Sequence, residues 1–206
     1  MKTGEPWLNW AIELQSLAQT GLHYSKDVFD QERYQRIRDI AAEMIAHQAQ
    51  IPLPKVQRLF CGETGYQTPK LDTRAAIFQG DTILLVHENE GTWSLPGGWV
   101  DTWLSIAENT VKEVREEAGL TVTPRRVIAV QDRERHNQPV YAWGIIKVFM
   151  ECDLLGGQFV PNSETTETGW FSLADLPPLA QEKVTREQIA LCFQAHEARY
   201  WETRFD

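Results

Sequence analysis

Cysteine is scarce in this 206-residue chain: Cys61, Cys152 and Cys192 stand far apart and are odd in number. Such a set argues against a disulfide framework, and no spacing within it suits a zinc site, so reduced thiols in a cytoplasmic protein are expected. Long apolar runs are also missing. No segment approaches the roughly 18 apolar residues that cross a bilayer, and the opening MKTGEPWLNW lacks the apolar core of a secretory signal. No membrane partner is expected. Positive charge is in short supply, with 20 Lys and Arg against 29 Asp and Glu and a net charge of -9. An acidic chain is poorly suited to gripping long nucleic acid over a broad basic surface, although it can reach phosphates through divalent cations. What the chain does hold is apolar mass: 42% hydrophobic residues, with eight Trp and eight Phe, enough for a folded core and against disorder.

The hydrophobic period divides the chain. Trp7, Trp10, Ala11, Leu14, Leu17, Ala18 and Leu22 recur at helical steps, as do Ile37, Ile40, Ala41, Met44 and Ile45. Two helices bury little alone, so the pair needs a partner surface: a second copy of itself, making a dimerisation module, or the rest of its own chain. Residues 51–71, rich in Pro, Gly and polar side chains, read as a linker with a short strand around 56–60. Residues 1–62 therefore form a helical region with its linker, and 63–206 a second domain. In the second domain, 73–78 and 82–86 are predicted strands joined by a Gly80-Asp81 turn. Further strands are predicted at 93–95, 121–133 and 140–154, a turn at Gly156-Gly157, a Pro-rich segment at 173–179 and a last helix over 186–200. The fold class is α/β, with a mixed sheet and helices on its faces.

One helix carries the chemistry. Ser105 and Glu108 make a capping box, and Gly119 suits the left-handed position after the last turn, so a helix is predicted over 106–118. Ile106, Thr110, Val114 and Ala118 form its buried stripe, widened by Val111 with Ala107 at the edge. Glu113, Glu116 and Glu117 share another side at spacings of three and four. They crowd the C-terminal half, where the helix dipole is already negative, and each like-charge contact there costs a few tenths of a kcal/mol. A solvated acidic face screened by Lys112 and Arg115 is the ordinary explanation; a bound cation is the other, and hard oxygen donors suit Mg2+ or Mn2+.

The flanking residues favour the cation. Pro96-Gly97-Gly98 precedes the helix by a short loop, and the segment then reads Lys112-Glu113-Val114-Arg115-Glu116-Glu117-Ala118-Gly119-Leu120. Together these resemble the Nudix motif: a glycine, a loop, and a helix ending in basic-Glu-aliphatic-any-Glu-Glu-any-Gly-aliphatic. The chain departs from it at Trp103 and Leu104, where that family usually has Gly and Glu, and at Lys112, where it has Arg. Asp101 is a shorter partial substitute for the missing Glu. Residues 156–206, with the variant segment GGWVDTWLSIAENTVKEVREEAGL, resemble bacterial Nudix hydrolases with a helical N-terminal extension. Among these, the chain is most similar to the CDP-choline pyrophosphatase group, near the ADP-ribose pyrophosphatases.

The resemblance implies a Nudix α/β/α sandwich, a homodimer, dependence on Mg2+ or Mn2+, and hydrolysis of a small nucleoside diphosphate linked to a second moiety. It implies Glu113, Glu116, Glu117 and the Gly98 carbonyl as metal ligands, with Glu116 and Glu117 also catalytic. The general base is a helix Glu or a Glu from a later loop, Glu167 ahead of Glu164. Arg74 is a candidate phosphate contact. Tyr141, Trp143 and Phe149 alternate along a predicted strand and are candidates for a base-stacking surface; His136 and Asn137 are loop candidates for ligand contact. Four readings follow. The first is CDP-choline hydrolysis to CMP and phosphocholine, and the second is ADP-ribose or nucleotide-sugar hydrolysis. The third is a non-catalytic sensor, prompted by Leu104. The fourth is cleavage of short RNA ends, for which Arg125, Arg126, Arg133 and Arg135 are the basic cluster.

Overall fold

The computed structural model describes residues 5–141 and 143–206. Its contacts divide them into two compact units: residues up to 69 together with 140–144, and residues 70–139 together with 145–206.

The first unit is helical. Helix α1 (Pro6–Tyr24) has a proline in its first turn, and α2 (Val28–Ala49) starts on Asp27, whose carboxylate accepts from the amides of Phe29 and Asp30. The strand expected around 56–60 is instead helix α3 (Leu53–Phe60). Pro52 and Pro54 pre-set its first turn, and Val56 and Phe60, four apart, pack together against Ala41 and Ala42. Two buried glutamines fasten α1 to the end of α3 and the chain after it: Gln15 donates to the Phe60 carbonyl and Gln19 to that of Gly65. No helix among the described residues is long and apolar enough to cross a membrane.

The second unit is one seven-stranded mixed sheet between two helical layers. Strands β1 (Lys70–Gln79), β2 (Thr82–Glu88), β3 (Trp93–Ser94), β4 (Leu120–Asp132), β5 (Ile145–Gly157), β6 (Thr165–Phe171) and β7 (Arg204–Phe205) take the order β3-β2-β1-β5-β4-β7, with β6 on β2. The strand period of two sorts the side chains. Ala75, Ile77, Leu84 and Val86 meet Val114 and Ala118 of α4 (Ile106–Ala118) on one face. Ala76, Ile83, Leu85 and Phe149 meet Ile189, Cys192 and Phe193 of α6 (Arg186–Glu197) on the other. A short α5 (Arg133–His136) follows β4. The result is the mixed sheet with helices on its faces expected from the order of elements, and the α/β/α sandwich that the resemblance implied.

Three boundaries move. Strand β5 begins at Ile145 rather than 140, because Pro139 and Gly144 break the stretch before it, and it runs on through Gly156 and Gly157, which pair with Thr121 and Leu120 instead of turning. Residues 165–171, among which Glu167 was expected in a loop, are strand β6. Helix α6 ends at Glu197.

One irregularity positions the site. β1 and β2 pair at only two register positions beside their turn, after which β3 takes the place of β1 along β2, whose other edge is paired with β6. The β1 edge left free is filled by the segment after β3. Ala75 donates to the Pro96 carbonyl at 2.8 Å, Thr73 to that of Gly98 at 2.9 Å, and Val100 to that of Leu71 at 3.0 Å.

The turn at 162–165 docks on the C-terminal end of α4. Asn162 Nδ2 donates to the Glu116 carbonyl at 2.9 Å and the fully buried Thr165 hydroxyl to that of Glu117 at 2.6 Å. These bonds satisfy carbonyls that a helix end leaves open. Thr165→Val keeps the shape and removes the donor, so thermal unfolding is expected to show a loss of about 1–3 kcal/mol.

Candidate active site

The acidic helix is built as its sequence requires. Ser105 Oγ accepts from the Glu108 amide, the Glu108 carboxylate accepts from the Ser105 amide, and Gly119 takes the left-handed conformation at φ 66°. The buried side is broader than the apolar stripe: Asn109, Glu113 and Glu117 are buried beside Thr110, Val114 and Ala118, while Ala107 is exposed. The polar row lies against the 96–100 segment rather than the apolar core. Asn109 is the peg, donating to the Thr73 hydroxyl at 3.0 Å and accepting from the Asp101 amide at 3.2 Å.

The three acids therefore differ. Glu116 is exposed, whereas Glu113 and Glu117 are 8% and 6% exposed. Glu117 Oε2 accepts from the Gly97 amide at 2.8 Å. Gly97 has φ 146°, and a Cβ there would sit 1.9 Å from the Thr73 carbonyl oxygen, so no other residue fits. Gly98 lies directly against Glu113, whose Oε2 would be 2.8 Å from an added Cβ. The Gly98 carbonyl already accepts from Thr73, leaving its second lone pair for a ligand.

Burial pushes the Glu117 carboxyl up to about 7, against the pull of Arg74 and the Gly97 amide, and Glu88 and Glu113 add to the rise. Burial also raises Glu113, against Lys112. Lys112 stands among the acids, 2.9 Å from Glu116, 3.0 Å from Glu113 and 3.6 Å from Asp101, and Glu116 and Glu113 raise its own pKa. Among the described residues no three His, Cys, Asp or Glu side chains are already drawn together as a metal site. The donor chemistry nonetheless fits a hard divalent cation, and the Lys112 ammonium is a cation standing where carboxylates gather. Trp103 is 84% exposed, and Leu104 closes a turn onto the Asp101 carbonyl.

The structure distributes the other candidates unevenly. Glu167 is on β6, not in a loop; it pairs with His87 and, two and four residues from Gly169 and Phe171, lies on the α6 face, away from α4. Glu164 is in the turn docked on the end of α4. Arg74 is 5% exposed, bonded to Asp72 and to the Leu95 carbonyl, so a dissolved phosphate does not reach it. Tyr141 and Trp143 precede β5 and belong to the first unit, their rings 6.0 Å apart, whereas Phe149 is core; the three do not share a strand face. His136 pairs with Asp206 and Asn137 donates to the Gln181 carbonyl, so both are committed to structure. Arg125 and Arg126 pair with Glu151, Arg133 with Glu134, and Arg135 lies 3.9 Å from Asp132, which neutralises the basic cluster.

Residues beyond the motif complete the site. Glu88, at the bulge ending β2, accepts from the Ser94 hydroxyl at 2.6 Å, pairs with Lys183 at 2.6 Å and adds to the charge around Glu117. Sequence reading missed it, along with Asn109, Thr73 and Asn162. The one available signal was charge on a strand otherwise buried on both faces, Asp72 with Arg74.

Comparison with known proteins gives the chain its family. The NUDIX domain family matches residues 68–192, and the family described as a UDP-X-like, N-terminal oligomerisation domain matches residues 5–60. A putative ADP-ribose pyrophosphatase of Bacillus subtilis is 39% identical, covering 94% of this chain and 93% of its own. The crystal structure of an ADP-ribose pyrophosphatase from Streptococcus suis is 59% identical, with a TM-score of 0.64 over 68% of this chain and 100% of that one. That of a UDP-X diphosphatase is 31% identical, with a TM-score of 0.64 over 96% and 97%.

Two outcomes follow from the geometry. Gly97→Ala is expected to cost at least about 2 kcal/mol, roughly 4–8 °C in Tm for a chain of this length, measured by thermal unfolding. Between the ordinary carboxyl range and about 7, the folded chain holds a proton at Glu117 that the unfolded chain has released, so this group's contribution to stability falls as pH rises through that window. Glu117→Gln is therefore expected to raise the Tm of the metal-free protein at about pH 8, and to do so much less at about pH 4.

Proposed function

Because the chain belongs to the Nudix hydrolase family, we propose that it hydrolyses the diphosphate of a nucleoside diphosphate joined to a second moiety, with ADP-ribose as the first substrate. The observation that carries this is the acidic helix against the glycine segment: Glu113 and Glu117 buried beside Gly97 and Gly98, with Glu116 at the rim. ADP-ribose is favoured by the names of two relatives. A pyrimidine nucleoside diphosphate such as CDP-choline is the second reading, favoured by the UDP-X-like description of the N-terminal family and the full-length likeness to the UDP-X diphosphatase.

Nudix hydrolases generally use divalent metal ions, and Mg2+ or Mn2+ is the ion proposed here because every donor at hand is a hard oxygen. Glu113, Glu116, Glu117 and the second lone pair of the Gly98 carbonyl would hold it, with Lys112 giving way. Once bound, such an ion offsets phosphate charge and acidifies a water. The Gly97 amide keeps the Glu117 carboxylate in one orientation throughout. For removal of the water's proton, Glu164 is preferred to Glu167, since its turn is fastened to the acidic end of α4.

A homodimer through the helical unit is proposed as well. It is supported by the oligomerisation description of the matching family and by apolar side chains left in solvent there, Trp10 at 59%, Tyr24 at 65% and Phe29 at 62%.

A hydrolysis panel of ADP-ribose, UDP-glucose, CDP-choline and short RNA with Mg2+ or Mn2+ tests the substrate reading. ADP-ribose is expected to be turned over fastest, and no turnover of any diphosphate would sink the reading. Glu116→Gln and Glu117→Gln are each expected to lower kcat by orders of magnitude; full activity in both would remove the metal assignment. Light scattering is expected to give twice the chain mass, and a monomeric mass would rule the dimer out.

A further inference from the structure

Asp72, Arg74 and Lys147 form an ionic cluster inside the sheet unit for which the proposed chemistry has no task. Asp72 and Arg74 are two apart on β1 and so share a face, and Lys147 is the register partner of Asp72 on β5. They are 4%, 5% and 2% exposed. Asp72 accepts from Arg74 twice, at 2.9 and 3.2 Å, and from Lys147 Nζ. Burial alone would push the Asp72 carboxyl up, but the two cations outweigh it and hold it below the usual carboxylate range.

A buried ion pair adds little net stability, because desolvation offsets most of the attraction. Burial, with Arg74 beside it, lowers the Lys147 ammonium to about 7, whereas Arg74 stays charged. The guanidinium has further partners beyond Asp72. Arg74 Nη1 donates to the Leu95 carbonyl at 3.1 Å, and Glu117 and Glu88 lie within its electrostatic reach. Leu95 begins the segment whose Gly97 amide holds Glu117. Ala75 and Thr73, on either side of Arg74, bind the same segment through the Pro96 and Gly98 carbonyls. The guanidinium thus ties down the end of the segment where β3 stops. The planar fork holds both oxygens of Asp72 through Nε and Nη2 and the Leu95 carbonyl through Nη1, a fixed geometry that a single ammonium nitrogen does not reproduce.

We propose that Arg74 is a positioning residue for diphosphate cleavage: oriented by Asp72 and Lys147, it fixes residues 95–98 and through the Gly97 amide sets the Glu117 carboxylate. This rests on the reading of Glu113, Glu116 and Glu117 as ligands of a divalent ion.

The test compares wild type, Arg74→Lys and a triple variant, Asp72→Leu with Arg74→Met and Lys147→Met. The triple variant removes the three charges of the cluster together and keeps the proposal testable if Arg74→Lys fails to fold. Mn2+ binding is followed by electron paramagnetic resonance, folding by thermal unfolding, and kcat and KM with whichever diphosphate the wild type hydrolyses. Both folded variants are expected to bind Mn2+ about 10- to 100-fold more weakly and to lose kcat to a similar degree, with KM unchanged. Wild-type Mn2+ affinity in a folded variant, whatever its Tm, would make the cluster merely structural and overturn the proposal. A raised KM with Mn2+ binding and kcat intact would make Arg74 a phosphate contact and overturn it equally. Absence of Mn2+ binding by the wild type would bring down the metal-ligand reading first, and the positioning role with it.

Discussion

The site depends on one vacancy in the sheet. After two paired positions β2 leaves β1, and the exposed β1 edge has donors that need acceptors. The segment after β3 supplies them through the Pro96 and Gly98 carbonyls. That alternation leaves the Gly97 amide between the two bonds, where it meets Glu117. Close approach requires a glycine at 97, against the Thr73 backbone, and the glycine at 98 leaves the Glu113 carboxylate undisturbed. Asn109 completes the arrangement by pegging α4 to Thr73 on the same strand. The geometry of the acids is therefore inherited from a backbone hydrogen-bond pattern and not from contacts among the acids.

Electrostatically the same arrangement works against the fold. Two carboxylates are buried on one helix, near its negative end, and both have raised pKa values. Lys112 offsets part of this, bridging Glu113 and Glu116. Arg74 offsets part from the interior. Stability is held back at the place where a cation is wanted, which is how functional sites commonly relate to the scaffolds that carry them. Other buried polar groups are satisfied in ways that strengthen the scaffold. Glu151 gathers Arg125, Arg126 and His196, and Gln188 bridges Gln131 and Asn137.

How much was legible in advance depended on the range of the interaction. The α4 boundaries at Ile106 and Ala118 were readable because the capping box and the left-handed glycine act within a few residues. The α1 and α2 stripes and the β1–β2 turn were legible for the same reason. Helix α3 was misread because two prolines look like a linker, although proline in a first turn favours a helix start. Strand β6 was misread because Thr165 to Phe171 is half polar and becomes a strand only by pairing with β2. Tyr141 and Trp143 were assigned to a strand that begins four residues beyond Tyr141, at Ile145.

The sequence by itself determined that residues 98–120 carry the Nudix motif and that three carboxylates share one side of a helix, since helical spacing is a local property. Only the tertiary structure decided that two of the three are buried, that one is fastened to the Gly97 amide, and that Arg74 turns inward to Asp72 and Leu95 rather than outward to phosphate. Burial and long-range hydrogen bonds depend on which strand edges are left unpaired, and that is settled only when β2, β6 and the glycine segment have taken their places beside one another.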